Sequence, residues 1–271
     1  MRTVFGVFGD PIAHSRSPNM HNAVFLELAM ECSYHAFRVS PDNLKDALLG
    51  AKAMGFGGVN LTVPLKQEAL AIVDADPLAK SIGAVNTVDF KDGMKGYNTD
   101  GLGAKRTLEE KDVKIDGSNV LIVGAGGAAR AIAFQFAKDG ANISIANRTE
   151  KKAIKLAMEV SAVGFASGYG LEKLKELISD SDILVNCTSQ GMHPNTEGSI
   201  ATSEDMHSEL TVFDIVYNPL ETRLLKEAKK AEAKAVSGEM MLVYQGAEAF
   251  RIWTGVEAPI DVMKRAVLEG L

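Results

Sequence analysis

Lys66 closes the run Asn60-Leu61-Thr62-Val63-Pro64-Leu65-Lys66, and Asp100 closes Gly96-Tyr97-Asn98-Thr99-Asp100. An amine and a carboxylate that meet around a substrate hydroxyl can hold it and move its proton. In such a pair the acid mainly orients the ammonium and the hydroxyl. The competing reading is a surface ion pair, which is common and contributes little. Three polar clusters accompany this pair at expected strand ends: His14-Ser15-Arg16-Ser17, then Asn60 with Thr62, then Asn86-Thr87 together with Asn98-Thr99-Asp100. Asn60 and Thr62 alternate with apolar residues, so both point to one face of a strand. Each residue also has an ordinary explanation as a helix cap, strand residue or turn residue.

A second chemistry belongs to Gly124-Ala125-Gly126-Gly127-Ala128-Ala129. It follows the β-branched run Asn119 to Val123 and opens the alanine-rich stretch to Lys138. Glycines there permit a tight turn and close backbone approach to a pyrophosphate, and the helix start offers free N–H groups and a positive dipole end. The competing reading is a glycine-rich turn of a plain α/β domain. About 20 residues on, an NAD site carries an acidic residue for the ribose hydroxyl. This chain has Asn147-Arg148-Thr149, with Lys152 one turn along. A guanidinium, an ammonium and a hydroxyl suit a 2′-phosphate, so the reading is NADP. An ordinary solvated helix start is the alternative, although cations there oppose the dipole. A nicotinamide cofactor implies a substrate alcohol or carbonyl, for which the polar clusters of the first hundred residues are the candidates.

These residues must be positioned by an alternation of short apolar runs and amphipathic stretches, the pattern of an α/β architecture with mostly parallel strands. Strands are expected at Thr3 to Phe8, Tyr34 to Val39 and Val59 to Val63. A hairpin is expected from Val85–Phe90 through Lys91-Asp92-Gly93 into Met94–Tyr97. Ser17 is expected as the cap of a helix with Pro18 in its first turn. A second helix should start at Pro41 and end by Gly55, and another should run from Asp100 to about Lys111. From residue 115 a βαβ series follows, with strands at 119–123, 142–146, 183–186 and 211–215 and helices at 128–138 and 149–160. Residues 237–271 hold two helical patterns and no strand.

Composition excludes several classes. The 271 residues carry 35 acidic and 29 basic side chains, a net charge of −6, which makes nucleic acid or an anionic membrane a poor partner. Two cysteines, Cys32 and Cys187, cannot build a disulfide framework or a cysteine zinc site. The five histidines lack metal-ligand spacing, so no metal is expected. No apolar run reaches the ~20 residues of a membrane helix, and none resembles a signal peptide, so a cytoplasmic protein is expected.

Several blocks in order resemble the shikimate dehydrogenase family over nearly the whole chain. They are Gly9-Asp10-Pro11-Ile12-Ala13-His14-Ser15-Arg16-Ser17-Pro18, the Asn60–Lys66 run, Gly83-Ala84-Val85-Asn86-Thr87, Gly96-Tyr97-Asn98-Thr99-Asp100-Gly101, the glycine motif, Asn147-Arg148-Thr149, Asp214-Ile215-Val216-Tyr217-Asn218-Pro219, and Gly238 to Gln245. A departure is Cys187, where the family more often has alanine. It reads as a small buried thiol.

The resemblance implies reversible NADP-linked interconversion of 3-dehydroshikimate and shikimate, a step towards chorismate and the aromatic amino acids. It implies Lys66 as acid/base assisted by Asp100. Ser15 and Ser17, with Tyr217, would bind the substrate carboxylate, and Asn60, Thr62, Asn86, Asp100 and Gln245 the ring hydroxyls. Gly124, Ala125, Gly126, Gly127 and Ala128 would hold the pyrophosphate. Asn147, Arg148, Thr149 and Lys152 would hold the 2′-phosphate side, with Thr188, Ile215 and Gly238 lining the rest. The implied fold is α/β with two domains. Residues 1–100, completed by C-terminal helices in 239–271, would form the substrate domain. Residues 101–238 would form a Rossmann-type, doubly wound parallel-sheet NADP domain. The expected partner is a small molecule, and the expected state a monomer or homodimer. Alternatives are a quinate/shikimate dehydrogenase of broader use and a non-catalytic NADP-binding sensor on the same fold.

Overall fold

Phe5, Val7 and Phe8 are all buried in β1 (Thr3–Gly9), so this strand is covered on both faces, as a central parallel strand must be. The structure, a computed structural model, describes residues 2–13 and 15–269. His14 of the first polar cluster lies outside the described residues, as do Met1, Gly270 and Leu271 at the expected domain ends. The chain forms two units, residues 2–103 with 242–269, and Ala104–Met241.

In the first unit β1 is followed by α1 (Ser17–Glu27), β2 (Cys32–Arg38), α2 (Leu44–Ala53) and β3 (Gly58–Leu61). Then come β4 (Asp74–Ala75), α3 (Pro77–Ile82), β5 (Thr87–Asp89), β6 (Lys95–Tyr97) and α4 (Asp100–Glu109), which continues into the second unit. The sheet order is β2-β1-β3-β5-β6-β4. β1 pairs in parallel with β2 and β3, whereas β5 runs antiparallel to β3 and β6. The hairpin of β5 and β6 turns at Gly93, whose φ of +109° an L side chain rarely adopts.

Three local expectations are corrected. Ser17 is not the cap of α1: Arg16 holds that place and Ser17 is the first helical residue. Its N–H faces the Ser15 hydroxyl at 3.4 Å, so the side-chain acceptor comes from two residues earlier. β3 ends at Leu61 rather than Val63, because Pro64 has no N–H and Val63 is exposed. Thr62 therefore lies just past the strand, still bonded through its N–H to the Phe8 carbonyl at 2.9 Å. The helix at Pro41 opens as a 3₁₀ turn before α2 begins.

The second unit contains β7 (Asn119–Val123), α5 (Gly127–Lys138), β8 (Asn142–Ala146), α6 (Glu150–Val160), β9 (Ala166–Tyr169) and α7 (Leu174–Ser179). β10 (Ile183–Asn186), β11 (Thr211–Asp214), α8 (Arg223–Lys230) and β12 (Lys234–Val236) complete it. All six strands pair in parallel, in the order β12-β11-β10-β7-β8-β9. Chain order reverses between β10 and β7, so a switch point lies where the glycine motif leaves the sheet. Leu121, Leu184, Val212, Leu224 and Leu225 lie in a continuous core.

The last helices, α9 (Glu239–Thr254) and α10 (Ile260–Leu268), return the chain to the first unit. Trp253 on α9 donates its indole N–H to the Val88 carbonyl at 3.0 Å and lies against Phe5 with ring centroids 5.1 Å apart. The indole sits where a Cβ of residue 58 would be, so that position requires glycine. No helix among the described residues is long and apolar enough to cross a membrane.

Candidate active site

Register explains how the polar residues of the first unit meet. Val7 lies opposite Asn60, and Asn60 lies opposite Thr87 across the antiparallel β3–β5 pair. Asn86 precedes β5, and its main-chain N–H and carbonyl are bonded to Tyr97 and Leu61, at 2.9 and 2.8 Å. Lys66 sits on the turn after β3, where its carbonyl accepts from Val85 N–H at 2.7 Å. Asp100 opens α4, a favourable place for a carboxylate, and its N–H is held by Asn98 Oδ1 at 3.1 Å.

Lys66 Nζ and Asp100 Oδ2 stand 2.5 Å apart, with side chains 17 % and 7 % exposed. This enclosure separates the pair from an ordinary surface ion pair. Asn86 Nδ2 donates to Asp100 Oδ1 at 2.8 Å and to Thr99 Oγ1 at 2.9 Å. The Gln245 Oε1 atom lies 3.5 Å from the same nitrogen, which brings α9 into the cluster. Asn60 Nδ2 donates to the Asn86 carbonyl and to Thr87 Oγ1, at 3.1 and 3.0 Å, while its Oδ1 accepts from the Tyr34 hydroxyl at 2.7 Å. Ser17 is buried near the same phenol, whose burial pushes its pKa well up. Lys66, Asp100, Asn86, Asn60 and Gln245 are thus joined, with Tyr34 bonded to Asn60, whereas Ser17 is buried nearby. Thr62 packs its methyl group over Gly9 and lies half-buried on the turn that carries Lys66. Tyr217 sits half-buried in the second unit, on the loop after β11.

Sequence reasoning passed over Tyr34, taken only as a strand residue, and His21. His21 is fully buried with both ring nitrogens unpartnered, and burial lowers its pKa to about 3. The available signal was a histidine on the apolar face of α1 beside the buried Met20, Val24 and Phe25.

In the second unit the glycine motif leaves β7 at Gly124, whose φ is +118°. A Cβ there would lie 3.0 Å from the Cys187 carbonyl oxygen, so the turn packs tightly on β10's extension. By contrast Gly126 has open space above it and caps α5 without a side chain. Ala125, Gly127 and Ala128 are half-buried around it. The N-terminus of this 12-residue helix thus presents free amides at an exposed glycine, a cradle that fits a phosphate group. At the end of β8, Asn147 is half-buried and donates to the Thr149 carbonyl at 3.0 Å. Arg148, Thr149 and Lys152 are exposed, with Glu150 among them in the first turn of α6. Thr188 donates its hydroxyl to Asn186 Oδ1 at 2.7 Å, and Gly238 lies directly against the Ile215 carbonyl.

Parallel strands in this order, with a bare helix start at the switch point, define the second unit as a dinucleotide-binding unit. Comparison with known proteins makes the assignment specific. Residues 7–88 match the shikimate dehydrogenase substrate binding domain, residues 104–230 the shikimate/quinate 5-dehydrogenase family and residues 238–268 the shikimate 5′-dehydrogenase C-terminal domain. The chain is 64 % identical to a shikimate dehydrogenase (NADP(+)) of Methanosarcina acetivorans, covering 100 % of this chain and 99 % of the relative. It is similar to a crystal structure of a shikimate dehydrogenase in complex with NADP+, with TM-score 0.92, 47 % identity and coverage of 99 % and 95 %. A shikimate 5-dehydrogenase of Thermus thermophilus in complex with NADP(H) and shikimate gives TM-score 0.90, 38 % identity and coverage of 99 % and 100 %. The chain belongs to the shikimate dehydrogenase family and is an oxidoreductase.

Proposed function

We propose that this protein catalyses the reversible NADPH-dependent reduction of 3-dehydroshikimate to shikimate, on the route to chorismate and the aromatic amino acids. The observation that carries the reading is the enclosed Lys66–Asp100 pair, braced by Asn86. When bound, NADPH supplies the hydride. Lys66 Nζ gives the proton to the substrate oxygen as it becomes a hydroxyl, and takes it back in the reverse direction. Asp100 orients the ammonium and the hydroxyl. Residues 2–103 with 242–269 serve as the substrate unit, and Ala104–Met241 as the cofactor unit.

Shikimate is small, anionic and hydroxylated, so directed hydrogen bonds must supply its affinity. Ser15 and Ser17, with Tyr217, take its carboxylate. Thr62, Gln245, Asn60, Asn86 and Asp100 hold the ring hydroxyls. Asn60 and Asn86 already spend both amide N–H groups inside the protein, so they act largely by fixing their neighbours. Gly124 to Ala128 hold the pyrophosphate. Asn147, Arg148, Thr149 and Lys152 hold the 2′-phosphate, whose charge Arg148 and Lys152 complement. Thr188, Ile215 and Gly238 line the remainder.

The test compares shikimate and quinate with NADP and NAD, followed by absorbance of the reduced nicotinamide. Shikimate with NADP should give the highest kcat/KM. Preference for quinate with NAD would move the assignment within the family. No turnover despite proven cofactor binding would leave a sensor.

A further inference from the structure

A row of hydrogen bonds in the first unit runs in one direction and ends on Asp100. Two main-chain groups set that direction. The N–H of Thr99 can only donate, so Asn86 meets it with Oδ1, at 2.9 Å. The carbonyl of Asn86 can only accept, so Asn60 meets it with Nδ2, at 3.1 Å. With both amides set, every other proton is placed. Tyr34 donates to Asn60 Oδ1 at 2.7 Å, and Asn60 Nδ2 donates to Thr87 Oγ1 at 3.0 Å. The Thr87 hydroxyl donates to Asn86 Oδ1 at 2.9 Å, and Asn86 Nδ2 donates to Asp100 Oδ1 at 2.8 Å. From the other side Lys66 reaches Oδ2.

Tyr34 and Thr87 are 0 % exposed, so neither can touch a ligand. They act only through Asn60 and Asn86. Hydrogen bonds aligned head to tail in a low-dielectric interior polarise one another. The far end of such a row therefore feels what happens at its head.

We propose that Tyr34 and Thr87 are positioning residues for the Lys66–Asp100 pair, because the row they head and bridge holds Asp100 Oδ1 and leaves Oδ2 to the lysine. The inference rests on the dehydrogenase reading above and adds two residues that never meet substrate.

The experiment measures kcat and both KM values for shikimate oxidation by the wild type, Thr87→Val, Thr87→Ser, Tyr34→Phe and the Tyr34→Phe/Thr87→Val double variant. Thr87→Val cuts the row beside Asn86 and should lower kcat about tenfold, while Thr87→Ser keeps the hydroxyl and should stay within about twofold of wild type. Tyr34→Phe should lower kcat about threefold, and the double variant should be no slower than Thr87→Val alone, since the row is already cut downstream. The KM for NADP should move less than about twofold in every variant, because no change touches the second unit. A wild-type kcat in Thr87→Val, or losses that multiply in the double variant, overturns the proposal. Should Thr87→Val fail to fold, Tyr34→Phe decides alone, and an unchanged kcat there overturns it. A wild type without turnover on shikimate and NADP overturns the dehydrogenase reading instead.

Discussion

The imidazole of His21 lies flat against the phenol of Tyr34, with ring centroids 4.4 Å and planes 14° apart. Phe250 and Trp253 from α9 close the same cluster, at 6.4 and 5.6 Å from the imidazole. This stack clamps the tyrosine whose hydroxyl donates to Asn60, and it does so with a side chain that is kept neutral by burial.

That neutrality has a pH signature. The folded state holds His21 at a pKa of about 3, against 6.5 when exposed, so below pH 6.5 the unfolded chain takes up a proton that the fold refuses. Stability is complete above pH 6.5 and falls as pH drops towards 3, by about 5 kcal/mol at full extent. Urea midpoints at pH 7 and pH 4.5 should diverge for the wild type and converge for His21→Phe. Equal acid losses in the two proteins would take His21 out of this explanation.

Removing the amine tests the chemistry. Lys66→Ala should lower kcat by roughly 10²–10⁴-fold, the usual contribution of a positioned acid or base, with a far smaller change in shikimate KM. Steady-state rates across both substrates, with a thermal melt as control, give the answer. A KM rise as large as the kcat loss would make Lys66 a binding residue.

Cofactor choice should follow the charge beyond β8. Arg148→Asp exchanges a cation for a group that repels the 2′-phosphate, and one lost charged hydrogen bond corresponds to roughly a 10–100-fold rise in NADP KM. NAD use should improve relative to NADP. An unchanged ratio of the two kcat/KM values would exclude Arg148 from that contact.

The turn at Gly124 should tolerate no side chain. Gly124→Ala forces φ of +118° on an L residue and brings a methyl group within 3.0 Å of the Cys187 carbonyl oxygen. A cost of about 1–3 kcal/mol is expected, or several degrees of Tm, together with weaker NADP binding. A variant melting with the wild type would mean that the turn relaxes freely.

Much of the fold was legible in local pattern, because side-chain period and turn chemistry act over a few residues. β7, β8 and β10 occupy the expected residues, and α5 begins at the motif's glycine pair. The glycine spacing and the ordered blocks pointed to the family on their own. Two-residue β4 went unread because so few residues carry no period, and β9 and β12 because neither is an apolar run: β9 reads Ala-Ser-Gly-Tyr with no buried residue, and β12 opens on the exposed Lys234. Tertiary structure alone decided the rest. Lys66 meets Asp100 across 34 residues of chain, and Gln245 reaches Asn86 across 159, through sheet pairing and the returning α9. Hydrogen-bond direction is likewise invisible in sequence. It depends on which main-chain donor or carbonyl faces each amide, and the pairing of β5 with β3 on one side and β6 on the other brings those groups together.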